Sequence, residues 1–404
     1  MSGLPALVSF LLSVCVSLSG PAVPAADNPS GDRTESAYAQ DAALAEDLPG
    51  YCYEDKLFAL MPKDENYMVS PFSLKAAFAL AANGAAGETR DEILAAFDYE
   101  SLDAYNQAVR AVTDKSAAGE STVFEVSNAV WLNTDKAQFT FQRAYTKAVS
   151  DLFGAQAGTV TDRSAVETVN AWANEKTHGK IKEIIHDSDF AALLANAVYF
   201  NGKWNVPFSG DATTDDLFTC RDGTCHTVPF MRQTGWFEYS ETDGARLLSM
   251  PYRRDRDGLQ ADMVLVLPGE KEVRPNALLE KAEWKRTYVS VKLPKFELEC
   301  AFQLNSVVKA LGIHQSFDAT EADFTPMFGL KYAFLDTVLQ NTYLRVDEEG
   351  TEAAAVTALA MAGSAMPTEL PKPILFHADR PFTFLIRDCE SGEILFMGEY
   401  AYAA

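Results

Sequence analysis

The feature that most constrains the fold is a run in the middle of the chain, "LLANAVYFNGKW", from Leu193 to Trp204. Its residues favour strands, yet apolar and polar positions do not alternate. A strand of that kind is covered on both faces and belongs in the interior of a sheet. A second stretch, "VSVKLPKFELEC", does alternate but changes phase partway. Val289, Val291 and Leu293 share one face, and Phe296, Leu298 and Cys300 the other. Pro294 sits at the flip, so a bulge or bend is expected there. "TVFEVSNAVWLN" reads as a further strand, and "PFTFLIRDCESGEILFMGEY" as two strands joined by a turn at Ser391-Gly392. Helices lie between them. One gathers small and apolar residues from Leu74 to Ala82 and is broken by Gly84 and Gly87. Another is capped by Thr89 and runs to Phe97, and a third ends near Lys176 with Gly179 as its stop signal. With no strict strand–helix–strand rhythm, the expectation is an α+β protein with large, mostly antiparallel sheets.

From Tyr51 onward no linker interrupts the apolar pattern and no fixed-period repeat appears, so 51–404 is expected to form one domain. Residues 27–50 are a polar lead-in. Residues 1–26 hold "LPALVSFLLSVCVSL", too short to cross a bilayer comfortably, followed by the small residues of "PAVPAAD". They read as a signal peptide, giving a secreted, extracellular protein with no transmembrane segment. A periplasmic protein, or one lipid-anchored through Cys15, is the exported alternative. The net charge of −23 argues against nucleic acid, because each phosphate contact needs a basic partner. The densest basic cluster, "YRRDRDG", interleaves Arg253, Arg254 and Arg256 with Asp255 and Asp257 and reads as a solvated turn.

Six cysteines are present, and "CRDGTC" holds the informative pair. A two-residue turn at Asp222-Gly223 would set Cys220 opposite Cys225 at a non-hydrogen-bonded position, with Cα atoms about 4.5 Å apart. A disulfide accepts that separation, so a bridge is one reading; two thiols in a mobile turn is the other. No metal site is expected, since four grouped ligands cannot be assembled here. The five histidines form no H-E-x-x-H pair, and neither a G-x-S-x-G elbow nor a phosphate-cradling loop is present. Neither catalysis nor a cofactor is expected.

More specific is "VDEEGTEAAAVTA", which resembles the hinge of the reactive-centre loop in inhibitory serpins, a family of protease inhibitors. "NYMVSPFSLKAAFALAANGAAGET", "VSNAVWLN", "VNAWANEKTHGKI", "LANAVYFNGKWNVPF", "LSMPY", "VKLPKFELEC" and "PFTFLIRD…ILFMGEY" are similar to serpin signatures in the family's order. The resemblance implies three mostly antiparallel β-sheets, about eight or nine helices, an exposed loop and a metastable monomer. It further implies that serine proteases, and cysteine proteases as a further class, are trapped as acyl-enzymes when the cut loop inserts into the central sheet. A serpin-fold binding or chaperone-like protein whose loop never inserts is the alternative.

By the family's spacing the hinge spans Glu348, Glu349, Gly350, Thr351, Glu352, Ala353, Ala354 and Ala355, and the reactive bond is Ser364–Ala365. Leu359, Met361 and Met366 are alternative cleavage sites. Small residues around Ser364 suit an elastase-like or subtilisin-like protease. Ser70, Ser73 and Asn196 match the polar cluster beneath the central strands, the shutter. Gln340 stands where the family usually has a histidine, and Trp204 matches the tryptophan at the top of the sheet, the breach. The pattern is physically consistent with insertion. Thr351, Ala353, Ala355 and Thr357 share one strand face and none exceeds threonine in size, while Glu352 lies on the other face, where its charge stays out of the core.

Overall fold

Two hydrogen-bonded sheets organise the computed structural model, which describes residues 48, 50–116, 119–256, 258–331, 333–351 and 370–403. All of these fall in one compact unit. The predicted signal peptide, nearly all of the lead-in and residues 352–369 lie outside the described residues. The last of these ranges takes in Glu352, Ala353, Ala354, Ala355, Leu359, Met361, Ser364, Ala365 and Met366.

With strands numbered in chain order, the six-stranded sheet contains β2 (Thr122–Asn133), β3 (Gln156–Val160), β4 (Ala192–Lys203), β10 (Phe296–Gln303), β11 (Thr337–Val346) and β12 (Gly350–Thr351). Their order across the sheet is β10-β11-β12-β4-β2-β3, with β11 also pairing β4 directly. The nine-stranded sheet contains β1 (Tyr67–Val69), β5 (Thr214–Thr219), β6 (Cys225–Thr242), β7 (Ala245–Pro251), β8 (Ala261–Leu267), β9 (Lys285–Pro294), β13 (Ile374–His377), β14 (Phe382–Asp388) and β15 (Ile394–Tyr400). Most pairings are antiparallel; β2–β3, β4–β11 and β9–β13 are parallel. Three sheets were expected. Instead β6, 18 residues long, pairs first with β5 and β9 and then with β7, so the second and third become one continuous network.

The absence of alternation in β4 has a direct cause. Val198 and Phe200 face the main core, where Phe200 meets Phe396 of β15 edge-on at 6.0 Å. Leu193, Ala195 and Ala197 face the other way, into a separate apolar cluster with Val169 and Trp172 of the helix Ala165–Lys176. The helix Pro71–Gly84 backs the main-core face, with Phe72 against Phe124 of β2 at 5.8 Å. It starts where it does because Pro71 tolerates a first helical position and the Ser70 hydroxyl accepts the Ser73 N–H at 3.1 Å. The phase flip at Pro294 also has a structural cause. β9 ends there in one sheet, and after Lys295 β10 begins in the other.

Two local expectations need correction. Thr89 does not cap its helix, which begins at Gly87; Thr89 is buried two residues inside, donating to Gln315 at 3.2 Å and accepting the Asp323 N–H at 3.0 Å. Nor do Cys220 and Cys225 form a bridge: both are free thiols. The hairpin register pairs Cys225 with Thr219 rather than with Cys220, because the connection spans five residues and not two. That one-residue offset puts the two thiols on opposite sides of the ladder. Cys220 is buried and its Sγ accepts the Ala403 N–H at 3.3 Å, whereas Cys225 is exposed. Cys225→Ser is therefore expected to leave stability within about 0.5 kcal/mol of the parent, and Cys220→Ser to cost about 1 kcal/mol or more, in paired urea denaturation curves. Equal losses for the two variants would restore the disulfide.

Candidate functional site at the top of the six-stranded sheet

Gly350 and Thr351, expected in an exposed loop, are instead buried in the sheet. They occupy the upper end of the seam between β11 and β4, with Thr351 opposite Val346 on one side and opposite Gly202 on the other. The two strands pair with each other directly only lower down, from Thr337–Leu193 to Tyr343–Tyr199. Close approach makes glycine necessary at 350: a Cβ there would lie 2.1 Å from the Gly202 carbonyl oxygen and 2.8 Å from the Lys203 Cα. The Thr351 side chain points inward, its hydroxyl 2.7 Å from the Tyr252 hydroxyl. This is the inward phase expected for Thr351.

Trp204 holds the turn that delivers the hinge. Its indole N–H donates to the Asp347 carbonyl at 2.9 Å and its backbone N–H to the Glu349 carbonyl at 2.9 Å. The Phe208 N–H donates to the Glu348 carbonyl at 2.8 Å. The Trp204 ring is stacked on Tyr252 at 4.7 Å, almost parallel. Lys295 reaches the Glu348 carboxylate at 2.8 Å, and the Thr213 hydroxyl donates to its other oxygen at 2.8 Å. Burial disfavours the charge on Glu348, but Lys295 and Thr213 outweigh it and hold the carboxyl below its usual range.

About six residues below the wedge, a buried polar cluster ties the seam to the helix behind it. The Gln340 amide serves both backbone groups of Ser70, accepting the N–H at 2.8 Å and donating to the carbonyl at 3.0 Å. It also donates to Asn196 Oδ1 across the β11–β4 seam at 3.0 Å. Asn196 in turn donates to the Ser73 hydroxyl and to Asn128 Oδ1, the latter at 2.6 Å. The Ser70 hydroxyl donates to the Leu395 carbonyl at 2.5 Å. The four residues expected together, Ser70, Ser73, Asn196 and Gln340, do meet, each at 1% exposure or less. An amide suits the position because it offers donor and acceptor side by side, matching the peptide groups it serves. Gln340 does not titrate, so it carries no pH response of its own.

Sequence reasoning missed several participants. Asn128 joins the cluster because it is the register partner of Asn196, and Tyr252, Lys295, Thr213 and Phe208 come from other parts of the chain. It also missed the turn after the helix Ala165–Lys176. There His178 lies over Tyr199 of β4 at 4.7 Å and bonds Glu125 of β2 at 2.7 Å, while Lys180 lies over the Tyr343 ring of β11 at 5.1 Å. Tyr199 and Tyr343 are register partners, so this turn straddles the seam. Among the described residues, no helix is long and apolar enough to cross a membrane, and no group of three or more potential ligands is placed to hold a metal ion.

The middle strands of the sheet admit Gly350 and Thr351 between them at their upper end. Comparison with known proteins gives that architecture its family. A family model described as Serpin (serine protease inhibitor) matches residues 55–402. Human leukocyte elastase inhibitor is 31% identical over 363 residues, covering 83% of this chain and 93% of that protein. Serpin-Z1C of Triticum aestivum is 33% identical over 358 residues, covering 82% and 89%. Among solved structures, the thermophilic serpin Tengpin in its native state aligns with a TM-score of 0.76 at 25% identity, covering 93% of this chain and 96% of that one. Arabidopsis AtSerpin1 in its native stressed conformation gives 0.73 at 27% identity, covering 91% and 98%. The chain belongs to the serpin family, described as serine protease inhibitors.

Two outcomes follow from the wedge. Gly350→Ala is expected to expel it, so that the Trp204 and Phe208 amides exchange hydrogen at least tenfold faster than in the parent; unchanged protection would contradict the close approach. Because the Glu348 carboxyl is held below its ordinary value of 4.5, its tie to Lys295 is fully present above that value. It is lost as the pH falls through the lowered one. Acid titration followed by the same amides should show loosening below about pH 4.5, absent in Glu348→Gln.

Proposed function

We propose that this protein is a secreted inhibitor that traps an elastase-like or subtilisin-like protease, its loop entering the six-stranded sheet after cleavage at Ser364–Ala365. The observation that carries the reading is the register of the wedge. Thr351 lies between Val346 and Gly202. Six residues further along, the same antiparallel register would set Thr357 between Gln340 and Asn196, the pair whose amides now bridge the seam at 3.0 Å. Thr357 shares the inward phase of Thr351, so its hydroxyl would reach the amides that the opening seam leaves unpaired.

The outward phase fits as well. Glu352 would come beside Arg345, whose side chain is half exposed. Ala354 would come between Tyr199 and Tyr343, beneath the His178–Lys180 turn, where a side chain larger than a methyl group would press that turn away. The small residues of "TEAAAVT" thus answer two surfaces, the core below and the turn above. Once inserted, a strand of about ten residues, bonded on both sides at roughly 0.5–1.5 kcal/mol net per bond, would release on the order of 10 kcal/mol. That is comparable with the whole stability of a typical domain and suffices to distort a protease tethered through its acyl bond.

Export is supported by the apolar run and small residues of 1–26. The elastase-like target is supported by small residues around Ser364 and by the name of the human relative. The test uses pancreatic elastase with the full chain. The expected result is an adduct that survives boiling in detergent, with the loop cut at Ser364–Ala365 by mass spectrometry and a large rise in melting temperature of the cut protein. Thr357→Arg is expected to be cut at an undiminished rate while forming less than a tenth of the adduct. Thr351→Arg is a less clean test, because residue 351 is already buried in the uncut sheet. Equal adduct from Thr357→Arg would refute the register. Cleavage with no adduct and no gain in stability, from every protease with a shallow pocket, would point instead to a serpin-fold binding or chaperone-like protein.

A further inference from the structure

The "YRRDRDG" turn is more than a solvated turn, and we propose that it builds a binding site for a small organic anion beside the wedge. A cleft of about 500 Å³ opens there, lined by Ser121, Asn205, Pro251, Tyr252, Arg253 and Arg254. Such a volume is in the range that holds small-molecule ligands. Its lining includes two arginines, a serine and an asparagine beside Pro251, with no aspartate or glutamate among the lining residues.

The adjacent acid, Asp255, lies at the edge of the cleft against Ser121 but makes no ion pair with either arginine. Asp255 accepts the backbone N–H groups of Glu120 at 2.8 Å, Ser121 at 2.7 Å and Thr122 at 3.4 Å. Among the described residues, neither Arg253 nor Arg254 has an ion pair. In a chain of net charge −23, two neighbouring guanidiniums that form no ion pair among the described residues make a local excess of positive charge. Guanidinium groups bind carboxylate and phosphate oxygens bidentately and with directional preference. The ligand class is therefore a carboxylate or phosphate group carried on a compact body that lies against Pro251.

Position gives the site a consequence. Tyr252 lines the cleft and bonds Thr351 at 2.7 Å. The Arg253 N–H donates at 2.7 Å to the Lys203 carbonyl, and Lys203 is the register partner of Gly350. The Asn205 N–H donates at 2.9 Å to the Pro251 carbonyl, closing the ring of backbone contacts around the cleft. An anion clamped between the arginines and Asn205 stiffens the strand ends that grip the wedge and favours the docked hinge. Binding itself requires nothing of loop insertion, so it stands or falls separately from the inhibitory reading.

The experiment is calorimetric titration of the uncut full chain with citrate, with glucose 6-phosphate and with inorganic phosphate, at matched ionic strength in sodium chloride. The expected result is saturable binding of citrate or glucose 6-phosphate, weakened at least tenfold in Arg253→Gln/Arg254→Gln, together with slower exchange of the Trp204 amide in the bound parent. Citrate against glucose 6-phosphate separates a carboxylate from a phosphate ligand, and inorganic phosphate reports the head group alone. No saturable heat with any of the three, equal binding by the double variant with its fold intact by circular dichroism, or reproduction of the effect by sodium chloride would each overturn the proposal.

Discussion

The structure turns on the seam between β4 and β11. These two neighbours are parallel and lie in the middle of the six-stranded sheet, covered on both faces. A parallel pair is somewhat less stable per residue than an antiparallel one. Here the pair needs a crossover of more than a hundred residues, so nothing in the local chain holds it shut. Besides the direct ladder from Thr337–Leu193 to Tyr343–Tyr199, it is held by the Gln340–Asn196 bridge, by Ser70 and Ser73 behind it, and by the His178–Lys180 turn in front. Each is a hydrogen bond or ring contact of modest strength, and none is covalent. The seam is therefore closed by non-covalent contacts alone.

The wedge at its upper end changes how that sheet is viewed. Gly350 and Thr351 are already paired on both sides, so the insertion proposed above would start from a seam opened at its upper end. The barrier then lies lower down, at the Gln340–Asn196 bridge, and in the turn lying over Tyr199 and Tyr343. Placing the barrier there has a chemical corollary. The Gln340 and Asn196 amides carry no titratable proton, whereas Glu348 at the rim does. A histidine at 340 would have joined those two functions in one residue.

Much of this was legible in the sequence because it depends on periodicity. The lack of alternation in Leu193–Trp204 announced a strand buried on both faces, and the phase change at Pro294 announced that one stretch serves two surfaces. The inward phase of Thr351 followed from its spacing in the same way. The serpin resemblance brought Ser70, Ser73, Asn196 and Gln340 to one place on paper, and they do meet. Legibility ended where a single residue of register mattered. In "CRDGTC" the sequence leaves a bridge and two free thiols equally open, and the five-residue connection settles it by putting the thiols on opposite sides of the ladder. Thr89 looked like a cap because capping depends on side-chain chemistry, but its hydroxyl is committed to residues more than two hundred positions away.

By itself, then, the sequence determined the periodic and compositional facts: which segments are strands, which faces are apolar, and that the loop segment is small enough to be buried. These are local, set by backbone geometry and side-chain size within a few residues. Only the tertiary structure decided where the hinge begins, that Asn128, Tyr252 and Lys295 serve it, and that Arg253 and Arg254 share a cleft without an ion pair among the described residues. Those facts come from contacts between segments far apart in the chain. The register that creates such contacts is fixed by the packing of whole sheets, and no local pattern encodes it.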